Sequence, residues 1–129
     1  MNYQAIAFAA ILGFSGPTLL ETAMSHPAVA APKYSYPTGS FSNESWSAVL
    51  TYENNTYRYK GEYIPKGTHI ELVGASASGT HDRQVYTWLN NGLKYQVTWR
   101  PSDPDTIRVQ VITSTGKVNL NTLLTRNTP

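Results

Sequence analysis

Cysteine is absent from the chain. That excludes a disulfide scaffold, a lipid anchor on Cys and every thiolate metal site. Charge is scarce: Asp, Glu, Lys and Arg make up 14% of 129 residues, where about a quarter is usual in a soluble domain. The formal net charge of +2 is far from the dense basic surface of a dedicated nucleic-acid binder, so nucleic acid is not an expected partner. Long apolar runs are also missing. Ala5 to Phe14 is a run of ten residues, too short to cross a bilayer as a helix, and no membrane span is expected in the mature chain. Only three His occur, and the helix-favouring Ala, Leu, Glu and Lys thin out after residue 45.

What the chain has instead is nine Gly, eight Pro and an aromatic content of 12%, led by nine Tyr. This mixture favours short strands joined by tight turns. The first thirty residues have a different character. The apolar run is followed by Ala28-Val29-Ala30, the small-x-small form that a signal peptidase reads. We therefore expect residues 1–30 to be a signal peptide cleaved after Ala30, and the mature protein to be exported, to a periplasm or beyond. No Lys or Arg precedes the run, a departure from the usual leader. Its removal takes away one carboxylate, Glu21, and raises the net charge by one. Residues 31–44 contain a Ser/Tyr/Pro/Gly stretch without periodicity and read as a flexible N-terminal arm. The β domain is expected over residues 45–126, with 127–129 as a tail.

Within that domain the apolar residues alternate. Trp46, Ala48, Leu50 and Tyr52 face one way, then Asn54-Asn55 turns the chain and Tyr57, Tyr59, Gly61 and Tyr63 follow. A two-residue turn pairs Tyr52 with Tyr57 and Trp46 with Tyr63. Ile64-Pro65-Lys66-Gly67 is a turn, and Thr68 to Ala75 a third strand. The small-residue stretch Gly74 to Gly79 is either crossed closely by another segment or a mobile loop. Asn91-Gly92 is a strong hairpin signal; it sets Trp88 opposite Tyr95 and Gln84 opposite Trp99. Continuing past Pro101 to Asp105, Trp99 meets Ile107 and Tyr95 meets Val111. A turn at Thr115-Gly116 then pairs Val111 with Leu120 and Ile107 with Leu124. A helix over Leu120 to Arg126 is the competing reading. The fold class is thus all-β, a small antiparallel meander of about seven strands closed as a barrel or a sandwich. By this register Tyr86, Trp88, Tyr95 and Trp99 are core.

Few chemistries fit these residues. Beyond the leader only His69 and His81 remain, one ligand short of an ordinary zinc site. Asp103-Pro104-Asp105 lacks the further oxygen ligands of a calcium loop and reads as a structural turn. Neither a metal nor a cofactor is expected. Ser76 or Ser78 with His81 and Asp82 supplies the residue types of a hydrolase without any motif context, and Glu62 and Glu71 read as solvated outer-face charges rather than a glycosidase pair. What remains is the outer face of the central strands, a comb of Lys94, Gln96, Arg100, Arg108 and Gln110, together with the His81 loop. Such a face suits an anionic polysaccharide or a protein of the cell envelope.

The segments YTWLNNGLKYQVTWRPSDPDTIRVQV and LNTLLTR resemble small exported β proteins of cyanobacteria that have no assigned activity. The resemblance spans about a third of the chain and implies that Trp99, Arg100, Asp103 and Asp105 work as one turn. From the residues themselves, Arg100 or Arg108 is expected to pair with Asp103 or Asp105. The functional expectation is an exported, non-catalytic binding or accessory module. The alternatives are a small hydrolase centred on His81 and Asp82, and a barrel that carries a small apolar ligand.

Overall fold

The computed structural model describes residues 33–128. The expected signal peptide, with its cleavage after Ala30, lies outside them. The described chain is all-β apart from one 3-10 turn, Ile64–Lys66. Nine strands follow in order: β1 Gly39–Ser42, β2 Trp46–Glu53, β3 Thr56–Tyr63, β4 Thr68–Val73, β5 Ser76–Thr80, β6 Arg83–Asn90, β7 Leu93–Arg100, β8 Asp103–Ile112 and β9 Val118–Arg126. They form one sheet in the order β4-β3-β2-β1-β9-β8-β7-β6-β5. Every ladder is antiparallel.

The alternation read from the sequence sets the register. Trp46 pairs Tyr63 and Tyr52 pairs Tyr57; Trp88 pairs Tyr95 and Gln84 pairs Trp99; Tyr95 pairs Val111 and Trp99 pairs Ile107; Val111 pairs Leu120 and Ile107 pairs Leu124. Asn54 and Asn55, at φ of 53° and 60°, and Asn91 and Gly92, at 50° and 79°, make the two tight turns. Positive φ at both central residues matches the twist of the flanking strands, which is why Asn and Gly stand there. Leu120 to Arg126 is strand, not helix, because Leu120 and Leu124 are needed on one face of the sheet.

Two strands exceed the seven expected. β1 arises in the stretch read as a flexible arm, so the β structure begins at Gly39 rather than at residue 45. It has four residues and a single inward apolar side chain, Phe41, too short a pattern to show periodicity. Its backbone is held between β2 and β9, and Asn127, assigned to a tail, donates its N–H to the Ser40 carbonyl at 2.8 Å. β5 arises in the small-residue stretch, which is neither loop nor crossing point but a partner of β6. Asp103 to Asp105, expected in a loop, opens β8 at a register shift against Trp99 and Arg100.

Because β1 joins β9, the meander returns on itself and the sheet curls as a half-barrel around one core. β4 and β5 run in the same direction, β4 against β3 and β5 against β6, with Gly74 between them at φ 83°. No ladder joins these two strands, and they mark a seam. Side chains cross the interior beneath it: Tyr57 and Tyr59 of β3 lie 5.3 and 5.4 Å, centroid to centroid, from Trp88 of β6. Tyr86, Trp88 and Trp99 are buried with Phe41, Leu50, Val97, Ile107, Val109 and Leu124.

The two ends of the curl differ. At the end where β6 begins, Tyr36 fills the interior, stacked on Tyr52 at 4.5 Å and edge-on to Tyr57 at 5.2 Å. Its N–H donates to the Tyr86 hydroxyl at 3.0 Å. Gln84, fully buried, ties the arm down: its Oε1 accepts from Ser35 N–H at 2.7 Å and Tyr86 O–H at 2.6 Å, and its Nε2 donates to the His81 carbonyl at 2.8 Å. A buried amide with its capacity used is what a wet arm needs to seal the apolar end of the half-barrel. Among the described residues the opposite end has no such plug.

Candidate functional site

At the unplugged end the inward side chains surround a cleft of about 440 Å³. β2 contributes Trp46, β3 Tyr59 and Tyr63, β4 Ile70, β7 Tyr95, β8 Val111, and the start of β9 Leu120. All but the more deeply set Tyr59 stand at or near the terminal inward position of their strands, so the period-two alternation that builds the core also delivers them to the mouth. Trp46 and Tyr63 face each other at 4.8 Å with their rings tilted by 44°, and Tyr59 lies 6.4 Å from Tyr95. Gly61, between Tyr59 and Tyr63, leaves the space that the Tyr59 ring occupies: a Cβ there would meet that ring at 2.6 Å. Thr68, His69 and Asn119 supply polar groups at the rim, and His69 Nδ1 stands 3.2 Å from the Gly67 carbonyl.

The electrostatics of the wall are simple. Burial pushes the Tyr59 phenol up to about 12, with the Tyr95 phenol adding to the rise. Tyr59 is therefore a neutral group at any ordinary pH. Among the described residues, no carboxylate, serine or ammonium lines the cleft. Such a wall attracts an apolar or ring-shaped body, orients it by a few polar contacts at the rim, and offers no paired acid and base. The volume falls within the roughly 300–1,000 Å³ range of small-molecule pockets.

The outer comb is less uniform than the sequence suggests. Gln96 and Gln110 are paired across β7 and β8 and half-buried, and Gln96 Nε2 donates to the Thr87 hydroxyl at 3.1 Å. Lys94 is exposed near the far end of β7. Arg100 and Arg108 come together with Arg83, Asp103, Thr98, Thr106 and Leu123 around a separate depression of about 300 Å³. Arg83, at the start of β6, is not part of the comb read on β7 and β8; the pairing of β6 with β7 brings it beside Arg100.

His81 sits exposed in the β5–β6 turn, its Nδ1 3.4 Å from Asp82 Oδ1. The nearby Ser78 hydroxyl donates to the Val85 carbonyl at 3.5 Å. The contribution of this turn to the fold is through the His81 backbone carbonyl, which accepts from Gln84. Among the described residues no three His, Asp or Glu side chains converge.

The R-P-S-D-P-D turn is fastened differently from expectation. Asp105 pairs with Arg126 of β9 at 2.8 Å, not with Arg100 or Arg108. Arg126 also donates to the Thr38 carbonyl at 2.7 Å and the Pro104 carbonyl at 3.3 Å, and its guanidinium lies 4.6 Å from the Phe41 ring centroid. Trp99 Nε1 donates to the Pro104 carbonyl at 3.0 Å. One arginine thus joins the arm, β9 and the β7–β8 turn. That meeting depends on β1 lying beside β9, which strand-by-strand pairing cannot foresee. No protein-family model, no curated protein and no solved structure matches the chain.

Proposed function

We propose that this chain is an exported, non-catalytic binding module of the cell envelope whose site is the aromatic cleft at the open end of the curled sheet. The occupant is a small molecule with a flat apolar body and few polar groups. The observation that carries the reading is the convergence of Trp46, Tyr59, Tyr63 and Tyr95 with Ile70 and Leu120 around about 440 Å³, with no carboxylate or serine among the described residues of the wall. In this reading β4 and β5 act as a single bent stave that completes the barrel, so the cleft is its mouth. The small exported β proteins that the central strands resemble are taken as kin.

The neutral probe N-phenyl-1-naphthylamine tests the site. The mature protein is expected to bind it saturably at one site, with Trp emission quenched as the probe fills the cleft. Ile70→Glu or Leu120→Glu places a charge in the apolar wall and is expected to weaken binding by about tenfold or more. Unsaturable binding, or equal affinity in folded variants, would refute the site. Export is tested by N-terminal sequencing of the natural protein, which is expected to start at Ala31; a chain beginning at Met1 would refute it.

A further inference from the structure

The second depression differs from the cleft in place and in chemistry. It lies on the outer face at the plugged end, where Arg83 opens β6, Arg100 closes β7 and Arg108 stands across from Thr98. Gln84 pairs with Trp99, so the next step along the register brings Arg83 and Arg100 to neighbouring positions. Like charges side by side on adjacent strands destabilise a sheet. Among the described residues, neither guanidinium has an ion pair or a side-chain hydrogen bond, and Arg108 has one partner, Asn121 Oδ1 at 2.7 Å. Arg126 shows how this chain fastens an arginine that serves the fold, with a carboxylate and two carbonyls.

We propose that this depression binds the acidic sugar units of a polysaccharide. The guanidinium groups present planar forks of donors that match a carboxylate in bidentate fashion. The space, about 300 Å³, exceeds what a bare anion fills, since one water accounts for only about 30 Å³; it leaves room for the ring that bears the charge. Asp103 on the rim is suited to accept from a ring hydroxyl, as are Thr98 and Thr106, while it repels a densely charged ligand such as a nucleic acid. Leu123, 48% exposed, offers the C–H face of a sugar an apolar surface.

Calorimetric titration of the mature protein at low salt tests this with three probes: trigalacturonate, sodium sulfate and cellotriose. Trigalacturonate is expected to bind and cellotriose not to. Arg83→Gln and Arg100→Gln are each expected to weaken trigalacturonate binding about tenfold, and Lys94→Gln to leave it unchanged. Asp103→Asn is expected to weaken trigalacturonate while strengthening sulfate. The proposal is overturned if the native protein does not bind trigalacturonate, or if cellotriose or sulfate binds as tightly. It is also overturned if the folded Arg83→Gln, Arg100→Gln, Arg108→Gln triple variant binds trigalacturonate like the native chain, or if Lys94→Gln weakens binding as much as Arg100→Gln does. The cleft titration with the neutral probe is independent of every one of these outcomes.

Discussion

Gln84 is the residue on which the plugged end depends. It is a fully buried amide whose partners come from three separate places: Ser35 in the arm, His81 in the turn and Tyr86 on its own strand. Replacing it with an apolar side chain of similar size leaves the buried Tyr86 hydroxyl without its acceptor and takes away the partners of the Ser35 N–H and the His81 carbonyl at the part-buried edge of this end. Gln84→Leu is therefore expected to destabilise the domain by about 3 kcal/mol, measured by chemical denaturation. A loss under about 1 kcal/mol would show that the arm is not held through this amide. The alternation places Gln84 opposite Trp99 and so on the inner face. It does not say what satisfies it, because Ser35 is 49 positions away in sequence.

Among the elements, β1 shows most clearly how a short segment is specified from outside. Its four residues carry little intrinsic preference, and an isolated strand of that length has no stability of its own. It exists because β2 and β9 each leave an edge for it, and because Phe41 fills the core between them. Phe41→Ala is expected to cost about 3–5 kcal/mol, and to release the arm as well as leaving a cavity. Hydrogen exchange checks the second part: amides of β1 and of Ser35 and Tyr36 are expected to lose protection together, while the β6–β7 hairpin keeps it. Protection retained throughout the arm would mean that Gln84 and Tyr86 hold it without the strand. β5 is the converse case, five residues with only Ala77 packed against the core, aligned by its pairing with β6.

At the scale of the molecule, three buried phenols, Tyr57, Tyr59 and Tyr86, stand in the described interior. Burial raises the Tyr57 phenol far above the ordinary tyrosine range, with Tyr86 and Tyr36 adding to the rise. Tyr86 is raised by burial too, and Tyr59 is pushed up to about 12. An unfolded tyrosine releases its proton near 10.0, whereas the folded Tyr59 holds its proton until about 12. Deprotonation therefore favours the unfolded chain across that window. The stabilising contribution is complete below pH 10.0 and is lost as the pH climbs towards 12. Tyr59 alone accounts for about 3 kcal/mol of this. Tyrosinate absorbance and near-ultraviolet circular dichroism are expected to show the buried phenols ionising only as the fold is lost. Ionisation of every tyrosine near 10.0 with the fold intact would contradict it.

The sequence by itself determined the all-β class, the tight turns, and the pairing partners of six strands, because alternation sets the face of each residue and the short turns set the register between neighbours. It also placed Tyr86, Trp88 and Trp99 on the inner face. Tertiary structure decided what depends on strands far apart in the chain. β1 entered beside β9, Arg126 rather than Arg100 or Arg108 took Asp105, and Arg83 joined Arg100 and Arg108 at one spot. It also separated the aromatics into a buried set and a set lining a mouth, although all of them share the same alternation. Periodicity records which side of a strand a residue occupies. Which end of the curled sheet is filled and which is open follows from where the arm docks, and that is fixed by contacts spanning half the sequence.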